Sequence, residues 1–255
     1  MNYMERVCPI AANEPIGPGF FDLTVQSADM ARAAACGQFV NIRCGAKTLR
    51  RPISICEIGE DTLRLVYEVK GEGTAWLSQR KAGENLEILG PLGQGFKLKN
   101  APENAVLIGG GIGTPPMLQT AKALKNPTAI LGFRTRNLMI LADDFAAACG
   151  AVHICTDDGS FGHHGFVTDV LKQKIAEGTC GLILACGPIP MLKNVAAIAE
   201  ENGIPCQVSL EQRMGCGIGA CLTCACKNKN PMYVTGNAHV CKNGPVFNAK
   251  EVIWE

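Results

Sequence analysis

The chain has almost no net charge: 24 lysines and arginines against 23 aspartates and glutamates leave +1. That removes the basic field with which a protein holds nucleic acid, and there is no acidic tail either. No stretch approaches the ~18 consecutive apolar residues of a membrane span. The opening MNYMERVCPIAANEPIG places Glu5 and Arg6 where a secretion signal needs an apolar core. Internal repeats and low-complexity segments are missing. The glycine-rich turn described below lacks the phosphate-loop lysine, which argues against a nucleoside triphosphatase. These absences lead to the expectation of a cytoplasmic protein, one large domain or two to three small ones, with neither nucleic acid nor membrane as partner.

What the chain does have is cysteine, fourteen in 255 residues. A reducing cytosol disfavours a disulfide framework. Cys8, Cys36, Cys44, Cys56, Cys149, Cys155, Cys180 and Cys206 stand alone beside apolar or small residues and read as small buried hydrophobes. The C-terminal group is different. In MGCGIGACLTCAC, Cys216, Cys221 and Cys224 are spaced C-x4-C-x2-C, and Cys241 follows in HVCKNGP. This is the order of spacings of plant-type [2Fe–2S] sites. Gly215, Gly217 and Gly219 permit the tight backbone needed to aim amides at sulfur. Zinc remains an alternative, although its sites usually pair two short knuckles; a redox dithiol or plain core cysteines are others. Cys226 is spare and not read as a ligand.

The first hundred residues hold short β-rich runs, FDLTVQ, QFVNIRC, RPISICEI, TLRLVYEV and ENLEILGP, broken by turn residues. One short helix, TAWLSQRK, interrupts them, with Thr74 as its N-cap. The pattern predicts a small antiparallel barrel, with GPLGQGF as the hinge out of it. From about residue 103, apolar runs alternate with helical segments: NAVLIGGG, PTAILGF, AVHICT, GLILACG and PCQVSLE. They predict a doubly wound parallel α/β domain. In its first helix Met117, Ala121 and Leu124 share one face.

Several turns are candidate sites. GGGIGTPP, residues 109–116, lies between strand and helix, where glycines let the backbone approach a pyrophosphate; a plain tight turn is the alternative. CGPIPM, residues 186–191, ends a strand of the same sheet and would line the same crevice, or only start a helix. In TDDGSFGHHG, Asp157 and Asp158 could accept ribose hydroxyls, or form a solvated turn. His163 and His164 read as surface residues. Arg51 of RPISI can pair with phosphate, and GEGTAWL offers a second anion-binding helix start, or simply a well-capped helix.

Taken in order, RPISI, YEVKGEGT, GPLGQGF, GGGIGTPPM, TDDGSFGHHGFVTD, CGPIPM, LEQRMGCGIGAC and CKNGPVF closely resemble the electron-transfer subunits of class 1B dihydroorotate dehydrogenases, within the ferredoxin–NADP reductase superfamily. The resemblance implies a FAD-binding barrel over residues 1–98, a NAD-binding domain over 99–210 and a [2Fe–2S] module over 211–255. It implies that Arg51, Pro52, Ile53 and Ser54 contact flavin and phosphates, that Tyr67, Glu68 and Val69 run along the FAD, and that Gly73 and Thr74 cap its pyrophosphate. Gly111, Gly113 and Thr114 would hold the nicotinamide nucleotide, with Cys186, Gly187 and Pro188 near its ring. Cys216, Cys221, Cys224 and Cys241 would ligate iron. The partner implied is a FMN-containing catalytic subunit, in a heterotetramer with two copies of each chain. No catalytic side chain is implied, because flavin accepts hydride and releases single electrons without an acid or base. Related chains serve hydrogenases, sulfide reductases and NADH-dependent ferredoxin:NADP oxidoreductases, so the partner is open at this stage; a zinc-stapled binding protein is a reading of another class. Many reductases of the superfamily end in an aromatic residue on the flavin; this chain continues instead, leaving the flavin's cover open. GPVFNAKEVIWE could supply a docking face through Phe247, Val252, Ile253 and Trp254, or close the module's own core.

Overall fold

The structure is a computed structural model that describes residues 3–254. Met1, Asn2 and Glu255, at the outer ends of the first and third expected domains, lie outside the described residues. The N-terminal part contains β1 (Met4–Gly17), β2 (Phe20–Gln26), α1 (Ala28–Ala33), β3 (Phe39–Ile42), β4 (Arg51–Ile58), β5 (Thr62–Glu68), α2 (Glu72–Leu77) and β6 (Asn85–Leu92). The six strands close a barrel in the order β1-β2-β5-β4-β3-β6, and every pairing is antiparallel. Alternate residues point inward, so Leu23, Val25, Val40, Ile42, Leu63, Leu65 and Tyr67 fill the interior.

Two barrel elements differ from the sequence reading, one missed and one shifted. β1 is the longest strand, yet Pro9 and Pro15 interrupt its pattern and only Cys8 and Ile10 of it are buried. It takes its place by pairing with both β2 and β6. The helix expected from Thr74 starts earlier. Gly71 is the N-cap and Thr74 occupies the third helical position. From there its hydroxyl accepts the Gly71 and Lys70 amides at 3.2 and 3.0 Å, so the threonine closes the first turn from inside it.

The second part contains β7 (Ala105–Gly110), α3 (Pro115–Lys122), β8 (Thr128–Phe133), α4 (Ala142–Ala148), β9 (Ala151–Thr156), β10 (His163–His164), α5 (Val167–Ala176), β11 (Leu182–Cys186), α6 (Ile189–Glu201) and β12 (Cys206–Ser209). The cysteine segment adds β13 (Ala225–Lys227), β14 (Asn237–His239) and β15 (Val246–Asn248). The large sheet runs β10-β9-β8-β7-β11-β12-β15. Its pairs are parallel except β12–β15, which is antiparallel. All six residues of β7 are buried, as a strand covered on both faces requires. Met117 and Ala121 of α3 are fully buried, and Leu124 packs against the same cluster.

The C-terminal segment is thus sewn into the nucleotide sheet instead of standing apart. Phe247 and Val252 are about 5% exposed in a core shared with Val106, Ile108, Cys224 and Cys241. They cannot serve as docking contacts, because Phe247 is buried on β15 and Val252 is held by a bridge to Asn228; only Ile253 of that group is exposed, and Trp254 is half-buried. The expected hinge at residues 90–96 is also clamped. Gln94 donates its amide to Gly244, and Lys97 and Gln207 exchange two hydrogen bonds of 2.9 Å. Across the barrel seam Arg64 pairs with Asp22, Glu57 and Asp144, and Lys122 pairs with Glu57. Burial works against ionisation of Glu57, but these two cations outweigh it and hold its carboxyl below the usual range.

Candidate functional site: two nucleotide turns and a four-thiol loop

The sheet order places β8 and β11 on opposite sides of β7, so the chain reverses direction between β7 and β11. Open α/β sheets bind ligands in the crevice at such a point, outside the carboxyl ends of the strands. Both predicted nucleotide turns lie there and touch. A Cβ on Gly113 would stand 2.5 Å from the Cys186 carbonyl oxygen, and one on Gly110 would stand 2.6 Å from the Met191 sulfur. Glycine is required because backbone packs on backbone. Gly111 has φ +53°, a left-handed conformation that glycine adopts without penalty. Pro115 and Pro116 open α3, where their missing N–H groups cost nothing. The Thr114 hydroxyl is buried with no hydrogen-bond partner among the described residues, which suits a site completed by a ligand. Burial pushes the Cys186 thiol up to about 12, a shift that a hydrogen bond with Ser209 limits. At neutral pH it is therefore a neutral thiol. Gly187 and Pro188 continue this turn, and Pro188 approaches Gly110.

Asp158 is committed elsewhere. Its carboxylate accepts the Ser160 hydroxyl at 2.6 Å and the Ser160 amide at 3.0 Å, and these bonds hold its pKa below the usual range. His163 and His164 are exposed, as expected, with His163 Nε2 lying 3.4 Å from Asp169.

On the barrel, the RPIS and GEGT segments converge. A Cβ on Gly73 would come within 2.7 Å of the Arg51 guanidinium, so glycine makes room for that cation at the start of α2. A guanidinium with its planar fork at such a turn can cradle phosphate oxygens. Pro52 and Ser54 lie half-buried on the outer face of β4, and no described residue hydrogen-bonds the Ser54 hydroxyl. Ile53 and Tyr67 point the other way, into the barrel core; the Tyr67 hydroxyl donates to Asn13 at 3.1 Å. Burial raises the Tyr67 pKa, so the phenol stays neutral. The Glu68 carboxylate pairs with Lys70, and the Val69 amide bonds to Gly19.

The four cysteines of the C-terminal loop fall into two pairs. Cys216 and Cys221 share hydrogen bonds at the rim, where Cys221 is exposed. Cys224 and Cys241 lie together inside, each 1% exposed. Main-chain amides surround the sulfurs. Those of Ile218, Ala220 and Cys221 reach Cys216 Sγ at 3.2–3.4 Å, and that of Gly219 reaches Cys241 Sγ at 3.1 Å. The loop achieves this through Gly217 at φ +76° and Gly219 at φ +84°. Two thiol pairs ringed by amides match the donor set of a two-iron cluster. Hydrogen bonds from Thr223, and then from Cys216, bring the Cys221 thiol down to about 6. Burial pushes Cys241 the opposite way, to about 12. Keeping that inner thiol ionised calls for a bound cation.

The fold and these sites define a class: a ferredoxin–NADP reductase-like barrel and nucleotide domain with an iron–sulfur module joined to it. Residues 211–253 match the iron–sulfur cluster binding domain of dihydroorotate dehydrogenase B. The electron transfer subunit of dihydroorotate dehydrogenase B (NAD(+)) from Bacillus caldolyticus is 40% identical over 256 residues, covering 96% of each chain. The Enterococcus faecalis subunit of the same name is 38% identical, covering 99% of this chain and 100% of that one. Among solved structures, an NADH-dependent reduced ferredoxin–NADP oxidoreductase superposes with a TM-score of 0.86 at 31% identity, covering 98% of this chain and 90% of that one. The chain belongs to the family of dihydroorotate dehydrogenase B electron transfer subunits.

Proposed function

We propose that the chain is the electron-transfer subunit of an NAD-dependent dihydroorotate dehydrogenase in pyrimidine biosynthesis, working in the cytoplasm beside a FMN-containing catalytic subunit, two copies of each. FAD supplies the exchange between hydride pairs and single electrons, and the [2Fe–2S] cluster accepts electrons singly. The protein's own part is placement. Arg51, Gly73 and Thr74 form the phosphate cradle for FAD, with Pro52, Ile53 and Ser54 of β4 as the wall for its ring. The main chain of Tyr67, Glu68 and Val69 runs beside it. Gly111, Gly113 and Thr114, facing Cys186, Gly187 and Pro188, hold the nicotinamide nucleotide. Cys216, Cys221, Cys224 and Cys241 hold the irons. All fourteen cysteines are free, which suits a reducing compartment. No helix among the described residues is long and apolar enough to cross a membrane.

The observation that carries this reading is the amide-ringed four-thiol loop whose inner pair sits in the same core as the nucleotide sheet and the barrel residues Phe39 and Leu92. The test is analysis of anaerobically purified protein for iron, labile sulfide and FAD, followed by assays. The isolated chain should reduce artificial acceptors with NADH, and should oxidise dihydroorotate only after the FMN subunit is added. Protein without iron, or turnover of dihydroorotate by the chain alone, overturns the assignment. The likeness to the NADH-dependent ferredoxin–NADP oxidoreductase supports a second reading, the same machinery with another partner; failure to pair with a FMN subunit together with a strong preference for NADPH would favour it.

A further inference from the structure

Asn41 stands on β3 with its side chain fully buried, and neither its amide nitrogen nor its oxygen has a hydrogen-bond partner among the described residues. A buried carboxamide without partners is costly and marks a group that the isolated fold does not satisfy. Its position is specific. Asn41 lies opposite Pro52 across the β3–β4 ladder, as Phe39 lies opposite Ser54. Opposed residues share a face of the sheet. Val40 and Ile42 fill the barrel interior, so Asn41 projects outward, beside the wall assigned to the flavin ring. There it meets the thiol loop: a Cβ on Gly217 would stand 2.5 Å from Asn41 Nδ2.

The loop has a matching gap. From residue 216 to 221, the amides of Cys216, Ile218, Gly219, Ala220 and Cys221 each reach a cysteine sulfur. The Gly217 amide reaches none. An unpaired N–H and an unpaired carboxamide are therefore neighbours in the layer between flavin wall and cluster loop. Bulk water does not reach Asn41, so its remaining partner is something the folded protein encloses. Cys224 and Cys241 show that the cluster site is enclosed in this way, at 1% exposure each.

We propose that Asn41 is a positioning and tuning residue for the iron–sulfur cluster: its carboxamide nitrogen, which lies against Gly217, donates toward sulfur of the occupied loop. This rests on the cluster assignment above. Donors to sulfur favour the reduced, more negative cluster and raise its potential. The test is Asn41→Leu, which keeps the size of the side chain and removes both polar atoms. The variant should fold, since replacing an unpaired buried polar group with an apolar one is neutral or stabilising. Iron, sulfide and FAD content should match the unaltered protein. Redox titration followed by electron paramagnetic resonance should show the reduced cluster disfavoured about tenfold, ~59 mV for one electron, with a changed spectrum of the reduced cluster. Asn41→Thr, which retains a donor and an acceptor, should recover part of the shift. An unchanged potential and spectrum would reduce Asn41 to a packing residue and overturn the proposal. So would a fall in FAD affinity with the cluster unaltered, which would make it a flavin contact. Unaltered protein that holds no iron would sink the functional reading itself; iron-loaded protein with an unresponsive variant sinks only this inference.

Discussion

Gly113 shows how a single residue shapes the proposed nucleotide site. Its missing side chain lets the turn after β7 lie on the main chain of the turn after β11, with the Cys186 carbonyl 2.5 Å from where a Cβ would be. Neither partner is a flexible side-chain end, so Gly113→Ala must push the two turns apart. A displacement of about 1 Å at a positioning residue can cost on the order of 100-fold in rate. We expect the KM for NADH, measured with an artificial acceptor, to rise at least about tenfold, with FAD and iron content retained. An unchanged KM would mean that the nucleotide does not use this junction. Glycine turns and cysteine spacing of this kind are legible in a sequence because they act over a few consecutive residues. Asn41 is not. In the sequence it is one polar residue in QFVNIRC, and its meaning comes from a loop 176 positions away in the chain, brought to it only by the fold.

Among the elements, α2 couples local chain geometry to the cradle proposed for FAD. The Thr74 hydroxyl accepts two amides and donates to the Gly71 carbonyl at 3.1 Å, which fixes the turn on which Arg51 rests. Thr74→Val keeps the shape and deletes these bonds, at about 1 kcal/mol. We expect FAD to bind roughly five- to tenfold more weakly, as read by flavin fluorescence on dilution, with the cluster intact; unchanged affinity would separate the turn from flavin binding. The strands that read clearly were those with regular apolar alternation or continuous apolar runs. β1 did not, because its prolines and exposed face leave no such signal and its place is set by pairing with β2 and β6. β15 did not, because three residues after a glycine-proline turn become a strand only when β12 offers an open edge.

Over the whole molecule, the iron–sulfur segment turns an inner side and an outer side to its surroundings. The inner side merges with the large sheet and with Phe39 and Leu92 of the barrel, so the cysteine loop, the sheet and the barrel share one packed core. The outer side leaves Cys221 exposed and sets exposed apolar side chains on the same segment: Leu222, next to it in the chain, is 59% exposed, and Met232 and Val234, between β13 and β14, are 74% and 97% exposed. Electron tunnelling weakens steeply with distance, so the thiol nearest the surface marks the side a redox partner must approach. Apolar side chains there supply what an interface core needs, whereas Phe247 and Val252, considered first, are buried in the shared core. We expect the FMN-containing catalytic subunit to dock on this side. Leu222→Asp is the cleaner probe, because Leu222 already sits at φ +62°, a conformation that aspartate tolerates better than leucine. The variant should keep its iron, sulfide and FAD and its NADH turnover with artificial acceptors, while binding the catalytic subunit at least about tenfold more weakly, since a charge must then be desolvated in the interface. Val234→Asp should act in the same direction. Full-strength association by both variants would move the docking face away from Cys221 and leave the exposed apolar side chains without that role.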